Sequence, residues 1–195
     1  MLTKLNNKAV ANVTSIPVAL GDMVLVSSAT ASSSASIEFS LGNYKEYQFY
    51  FVDMHPSNDG VSFGFNGSTD NGSNYNVTKT STFFEAYQNE SGSASSLNYQ
   101  DGYDLAQSTS YQTMAYAVGG NSDENCSGYL NIFNPASTVY VKHFISRFST
   151  YNSGDYMVDN YSAGYANTTS ALTNIKFQMS SGNIDAGKIL MFGVN

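Results

Sequence analysis

The sequence predicts an all-β, antiparallel β-sandwich, jelly-roll-like, with an extended N-terminal arm. Three observations carry this. Segments of alternating apolar and polar residues recur from Met23 to the end of the chain. Gly, Asn, Asp and Ser clusters punctuate them at short intervals. No stretch has the 3.6-residue apolar period of an amphipathic helix. At 195 residues with 42% hydrophobic content, the chain suits one domain with a real core.

Residues 1–22 read differently from the remainder. Lys4 and Lys8 hold all the local positive charge, apolar residues are irregularly spaced, and Pro17 falls near the end. This stretch is expected to be an arm or linker that docks on a neighbouring protein, with residues 23–195 forming the sandwich domain. Met23–Val26 and Ser36–Phe39 are short strands around a Ser/Ala-rich connection, Ser27 to Ser34. Glu46 to His55 is the strongest strand: Tyr47, Phe49 and Phe51 share one face, and Gln48, Tyr50 and Val52 the other. Two partly apolar faces place it centrally in a sheet. Pro56 to Gly60 has turn chemistry, and Val61, Phe63 and Phe65 alternate after it, predicting a hairpin.

Asn66 to Asn76 reads as a loop too polar to bury. Thr78 to Tyr87 is a strand, and Asn89 to Ser96 a second polar loop. Residues 97–118 are ambiguous, Ser110 to Val118 fitting a strand or a short helix. After the Gly119 to Asn125 turn, Tyr129 to Phe133 is a strand stopped at Asn134-Pro135. In Thr138 to Phe148, Val139, Val141, His143 and Ile145 share one face, and Tyr140, Lys142, Phe144 and Ser146 the other. Asp155 to Tyr165, Thr173 to Met179 and Gly187 to Asn195 complete the set. The last is apolar on both faces, which predicts an interior strand that locks the fold.

Composition narrows the function classes. Charged residues are 12%, about half the usual share, while aromatics reach 14% from 15 Tyr and 12 Phe. The exterior must therefore be built from hydroxyls, amides and tyrosine, which suits an extracellular or particle-exposed protein. A net charge of -7 with unclustered basic residues argues against nucleic-acid and membrane-surface binding. The single cysteine, Cys126, leaves no intrachain disulfide. The opening residues lack the apolar run of a signal peptide, so release by lysis inside a particle is the expected route out of the cell. Asn-x-Ser/Thr sequons such as Asn66, Asn71 and Asn167 are expected by chance in so Asn- and Ser-rich a chain.

Reactive constellations are sparse. His55 precedes Pro56 at a strand end, and His143 sits among Val139, Val141 and Ile145, a face that predicts a core histidine. No Gly-x-Ser-x-Gly elbow marks a serine nucleophile. Cys126 falls in a polar turn with no basic neighbour to activate it. Asp59, Asp70, Asp101, Asp104, Asp123, Glu124, Asp155 and Asp159 read as solvated turn formers, although a glycosidase pair needs only two suitably spaced carboxylates. The oxygen-rich Asn66 to Gly72 loop could hold a cation but reads first as a hydrated turn. The expectation is no enzyme, no cofactor and no metal. The residues that do suggest a surface are Tyr99, Tyr103, Tyr151, Tyr156, Tyr161 and Tyr165. Placed near turns, they are candidates for glycan stacking or subunit contact, and self-packing explains them equally.

Several segments resemble a group of small structural virion proteins of marine bacteriophages. They are Ala31-Ser-Ser-Ser-Ala-Ser-Ile-Glu-Phe39, Asn66-Gly-Ser-Thr-Asp70, Ser73-Asn-Tyr-Asn-Val-Thr-Lys-Thr80, Tyr103 to Tyr111, Asn131-Ile-Phe-Asn-Pro135, Ser181 to Ile184 and Leu190 to Val194. Leu2 to Lys8 is similar to the openings of phage fibre-type proteins. The resemblance implies a virion location and a sandwich fold and carries no catalytic residues. It leaves a tail fibre or appendage, a baseplate protein and a capsid decoration protein open as roles. The expected partners are other virion proteins through the arm, further copies of the chain in a trimer, and a host-surface glycan. A free-standing carbohydrate-binding module is the alternative from another class.

Overall fold

The computed structural model describes residues 23–195; the arm expected at 1–22 lies outside the described residues. The fold is all-β and antiparallel, a sheet closed nearly into a barrel. Twelve strands follow in order: β1 (Val24–Thr30), β2 (Ile37–Ser40), β3 (Glu46–Pro56), β4 (Val61–Ser68), β5 (Lys79–Asn89), β6 (Ser95–Tyr99), β7 (Gln112–Val118), β8 (Cys126–Phe133), β9 (Lys142–Asn152), β10 (Tyr156–Ala166), β11 (Asn174–Met179) and β12 (Ile184–Val194). Eight lie side by side as β1-β12-β3-β8-β9-β10-β5-β6. Four more run β7-β4-β11-β2 and meet the eight through a single pairing, Val118 with Asn152.

The core lies where the four strands face the first five of the eight, β1 to β9 in that order. Phe49 and Phe51 of β3 meet Phe177 of β11 at 5.2 and 5.0 Å, Phe51 meets Phe63 of β4 at 5.5 Å, and Phe65 meets Phe144 of β9 at 5.1 Å. Edge-to-face rings of this kind bury large apolar area and set the relative position of the strands. The predicted alternation of β3 is observed, with Tyr47, Phe49 and Phe51 buried. β12 lies between β1 and β3, an interior strand as its two apolar faces require.

The structure corrects several sequence expectations. β3 and β4 form no hairpin: their partners are β12 and β8, and β11 and β7. Both carry phenylalanines on one face, and the turn at residues 57–60 turns those faces toward each other across the core. A strand, β6, starts at the end of the Asn89 to Ser96 loop and runs into the ambiguous stretch after it; it pairs only with β5 and is partly exposed throughout, so it lacks the apolar face that marks a strand. Residues 112–118 are strand.

His143 and Ile145 lie on the exposed side of β9, not in the core, whereas Lys142, Phe144, Ser146 and Phe148 point inward. The faces were grouped correctly but inverted, because Lys142 buries its stem and donates through Nζ to Thr168 O at 2.9 Å. Cys126 is the first residue of β8 and fully buried, not in a polar turn, and burial pushes its thiol far up. Asn66 and Ser68 belong to β4 and are buried. The oxygen set read as a possible cation site receives an amine of the chain itself, Lys79 Nζ donating to Asn66 Oδ1 at 2.6 Å. Among the acids, Glu124 is buried and caps its turn by accepting from Asn121 N at 2.7 Å, and Asp159 stands on β10 rather than in a turn.

Candidate functional site

β9, β10, β5 and β6 extend the large sheet beyond the core as a wing, and its outer surface is open. Strand alternation places Tyr129, Arg147, Tyr161, Phe84 and Tyr99 in one row across β8, β9, β10, β5 and β6, each directly opposite the next. Phe84 and Tyr161 stack at 4.7 Å and 4°, and the Arg147 guanidinium lies 4.9 Å from the Tyr161 ring. Asp159 ties the row down. It accepts from Arg147 Nε and Nη2 at 3.0 and 2.7 Å and from Tyr161 Oη at 3.0 Å. Phe84 and Tyr99 remain 40% and 56% exposed.

Two residues along each strand the side chains are short. Ser127 of β8 pairs with Ser149 of β9, which pairs with Asp159 of β10. Two residues further they are long again, with Tyr151 opposite Met157 and Met157 opposite Gln88. The short row between two tall ones is a trough. Gly128, between Ser127 and Tyr129 and turned to the inner face, leaves no room for a side chain, since a Cβ there would run into Arg147 O and the Phe148 ring.

The trough opens at its end into a cleft of about 440 Å³ between the β5–β6 turn, the loop before β8 and the β9–β10 end. Tyr151, Met157, Gln88, Asn125, Glu90 and Asp123 stand among its walls, with Ser127 and Ser149 at the junction with the trough. Tyr151 Oη donates to Glu90 Oε1 at 3.0 Å, and this bond is the main cause of its phenol being pushed up to about 12. Tyr151 N donates to Asn125 O at 3.0 Å, so one residue joins two of the three segments that form the cleft. Amides, hydroxyls, carboxylates and one aromatic face in an open cavity of this size suit a polyhydroxylated ligand.

The structure does not gather the six candidate tyrosines into one site. Tyr151 lines the cleft, and Tyr156 borders the adjoining depression around Glu90 and Asp155 while packing edge-on to Tyr87 at 5.5 Å. Tyr161 and Tyr99 belong to the outer row, Tyr99 bonding the Asp104 carboxylate. Tyr103 is packed on Tyr116 at 4.7 Å and Phe83 at 5.5 Å, a packing role. Tyr165 sits edge-on to His143 at 6.1 Å. His55 Nε2 lies 3.1 Å from Asn121 O, and neither histidine lines the cleft.

Sequence reasoning overlooked Glu90, Gln88, Asn125 and Met157, which three distant segments bring together; the period-two alternation of β9 and β10, read as a pair, could have found Met157. Among the described residues no group of three His, Cys, Asp or Glu side chains is placed to hold a metal ion, and no helix is long and apolar enough to cross a membrane. Comparison with protein-family models, with curated proteins and with solved structures gives no match.

Proposed function

We propose that the chain is a non-enzymatic structural protein of a bacteriophage virion, a tail fibre or tail-appendage component that adheres to a host-surface glycan through the groove on its wing. The observation that carries the adhesive part is the trough and cleft themselves. They are open and lined by hydrogen-bonding groups, amides, hydroxyls and carboxylates, together with Tyr151 and Met157. The virion part rests on the sequence resemblance and on an exterior with few charges.

The architecture reads as a jelly roll with two insertions, and the strand order supports this. Without β5, β6, β9 and β10, the remaining strands order as β1-β12-β3-β8 and β2-β11-β4-β7. Strands adjacent in the chain then alternate between two four-stranded sheets, except that β4 and β7 pair within one sheet, as in a roll of two Greek keys. The insertions after β4 and β8 meet at the edge of the first sheet and form the wing. A trimer docked through residues 1–22 is the assembly this reading favours.

Immunogold labelling of intact particles tests the position: tail-tip labelling supports the appendage role, and uniform head labelling transfers the chain to capsid decoration. Light scattering after size exclusion reads the trimer directly, and a monomer removes it. A glycan array probes adhesion. Binding lost in Tyr151→Ala is expected, and an empty array removes the adhesive reading. A carbohydrate-binding module is the second reading, supported by the same groove; labelling absent from every part of the particle, with array binding retained, would favour it.

A further inference from the structure

The cleft has a charge as well as a shape. Glu90 stands on the β5–β6 turn and Asp123 on the loop before β8, so two carboxylates enter from separate segments. None of the residues lining the cleft is Lys, Arg or His. Asp155 adds a further carboxylate in the depression that shares Asn89 and Glu90 with it. Among the described residues the ion pairs are Arg147 with Asp159 and Lys176 with Glu38, so no side-chain cation neutralises Glu90 or Asp123. Further along the trough, Arg147 is held bidentately by Asp159 and its charge is already matched.

We infer that the cleft selects a sugar bearing a protonated amine over neutral and acidic sugars; the inference rests on the glycan-adhesion reading above. An ammonium placed among these carboxylates is attracted from both sides of the cavity, while a uronate is repelled. Tyr151 and Met157 supply the apolar contact for the ring, and Asn125 and Gln88 supply amide partners for hydroxyls. The Tyr151–Glu90 hydrogen bond holds one carboxylate in the wall before any ligand arrives, which lowers the ordering cost of binding. Each carboxylate contributes about fivefold in affinity at a water-facing site, so two give on the order of twentyfold.

The test is calorimetric titration of the full chain with three oligomers of equal length: β-1,4-linked glucosamine, its N-acetylated form and galacturonate. Tighter binding of the glucosamine oligomer is expected, weakened by added salt and reduced about fivefold in Asp123→Asn and again in Glu90→Gln. Both positions are at the surface, and an unchanged unfolding midpoint shows that the variants are folded. Equal or tighter binding of the neutral or acidic oligomer overturns the selectivity and leaves glycan adhesion standing. No binding of any of the three also overturns it, whereas only an empty glycan array removes adhesion itself.

Discussion

On the inward side of β3 the buried residues run Tyr47, Phe49 and Phe51; on the same side of β10 they run Val158, Asn160 and Ser162. The two strands belong to one sheet, yet the inner face of the first is lined with rings and that of the second is largely polar. In the wing Ser146 and Ser162 share a bond of 2.6 Å, Asn160 Nδ2 donates to Thr150 Oγ1 at 2.9 Å, and Gln100 Nε2 donates to Glu85 Oε1 at 2.6 Å. Asn160 stands opposite Glu85 in register, and among the described residues Asn160 Oδ1 and Glu85 Oε2 are both buried without a partner. The difference teaches how the chain divides its labour. Apolar burial supplies stability around β3, β4 and β11, while polar pairs in the wing specify register at little gain in stability. The groove is carried on the second kind of region.

The comparison can be broken or sharpened by measurement. Phe51→Ala should cost about 3–5 kcal/mol in denaturant unfolding, because it removes the ring that touches Phe63, Phe148 and Phe177. A loss as small as that of a wing hydroxyl would break the contrast.

Lys79 is the next largest effect. Burial pushes its amine down to about 7 from 10.5, so the unfolded chain binds this proton more readily than the folded one. Its contribution to stability is full above pH 10.5 and is lost as the pH falls through about 7. Relative to Lys79→Met, the parent chain should lose a few kcal/mol between those limits and run parallel to the variant below them. Parallel curves throughout would mean that the amine is hydrated.

Gly128→Ala should cost about 1–3 kcal/mol and displace β8 from β9, since the added methyl meets Arg147 O; a melting scan reads the first and hydrogen exchange at β8 the second. The same exchange experiment should show wing amides opening at lower free energy than those of β3 and β11. The smallest effect belongs to Asp159→Asn. Its ion pair with Arg147 is half exposed on the arginine side, so stability should change by less than about 1 kcal/mol.

The core was the more legible region, for the same reason that it is the more stable. Aromatic residues at every second position announce both a strand and its buried side in β3, and a run apolar on both faces announces the interior strand β12. The wing gives no such signal. Lys142 and Lys79 point inward where their type predicts outward, and that inverted the reading of His143. β6 buries almost nothing and so left no pattern. The β3–β4 hairpin failed because proximity in sequence cannot distinguish pairing within a sheet from facing across a core. Tyr151 was identified, but its partners Glu90, Asp123 and Asn125 converge only through the β5–β10, β9–β10 and β8–β9 registers, which alternation within a single segment does not contain.

The large sheet ends in β1 (Val-Leu-Val-Ser-Ser-Ala-Thr) on one side and β6 (Ser-Ser-Leu-Asn-Tyr) on the other. Neither strand carries a lysine, a proline or any charge, the features that ordinarily keep an open rim from recruiting a stranger. Leu25 and Leu97 are 53% and 70% exposed there. Among the described residues nothing pairs with the outer edge of either strand, which leaves two rims able to accept a further chain. Crowding it in isolation should therefore favour filament growth by rim-to-rim addition, and a single lysine at Ser28 or Ser96 should arrest it.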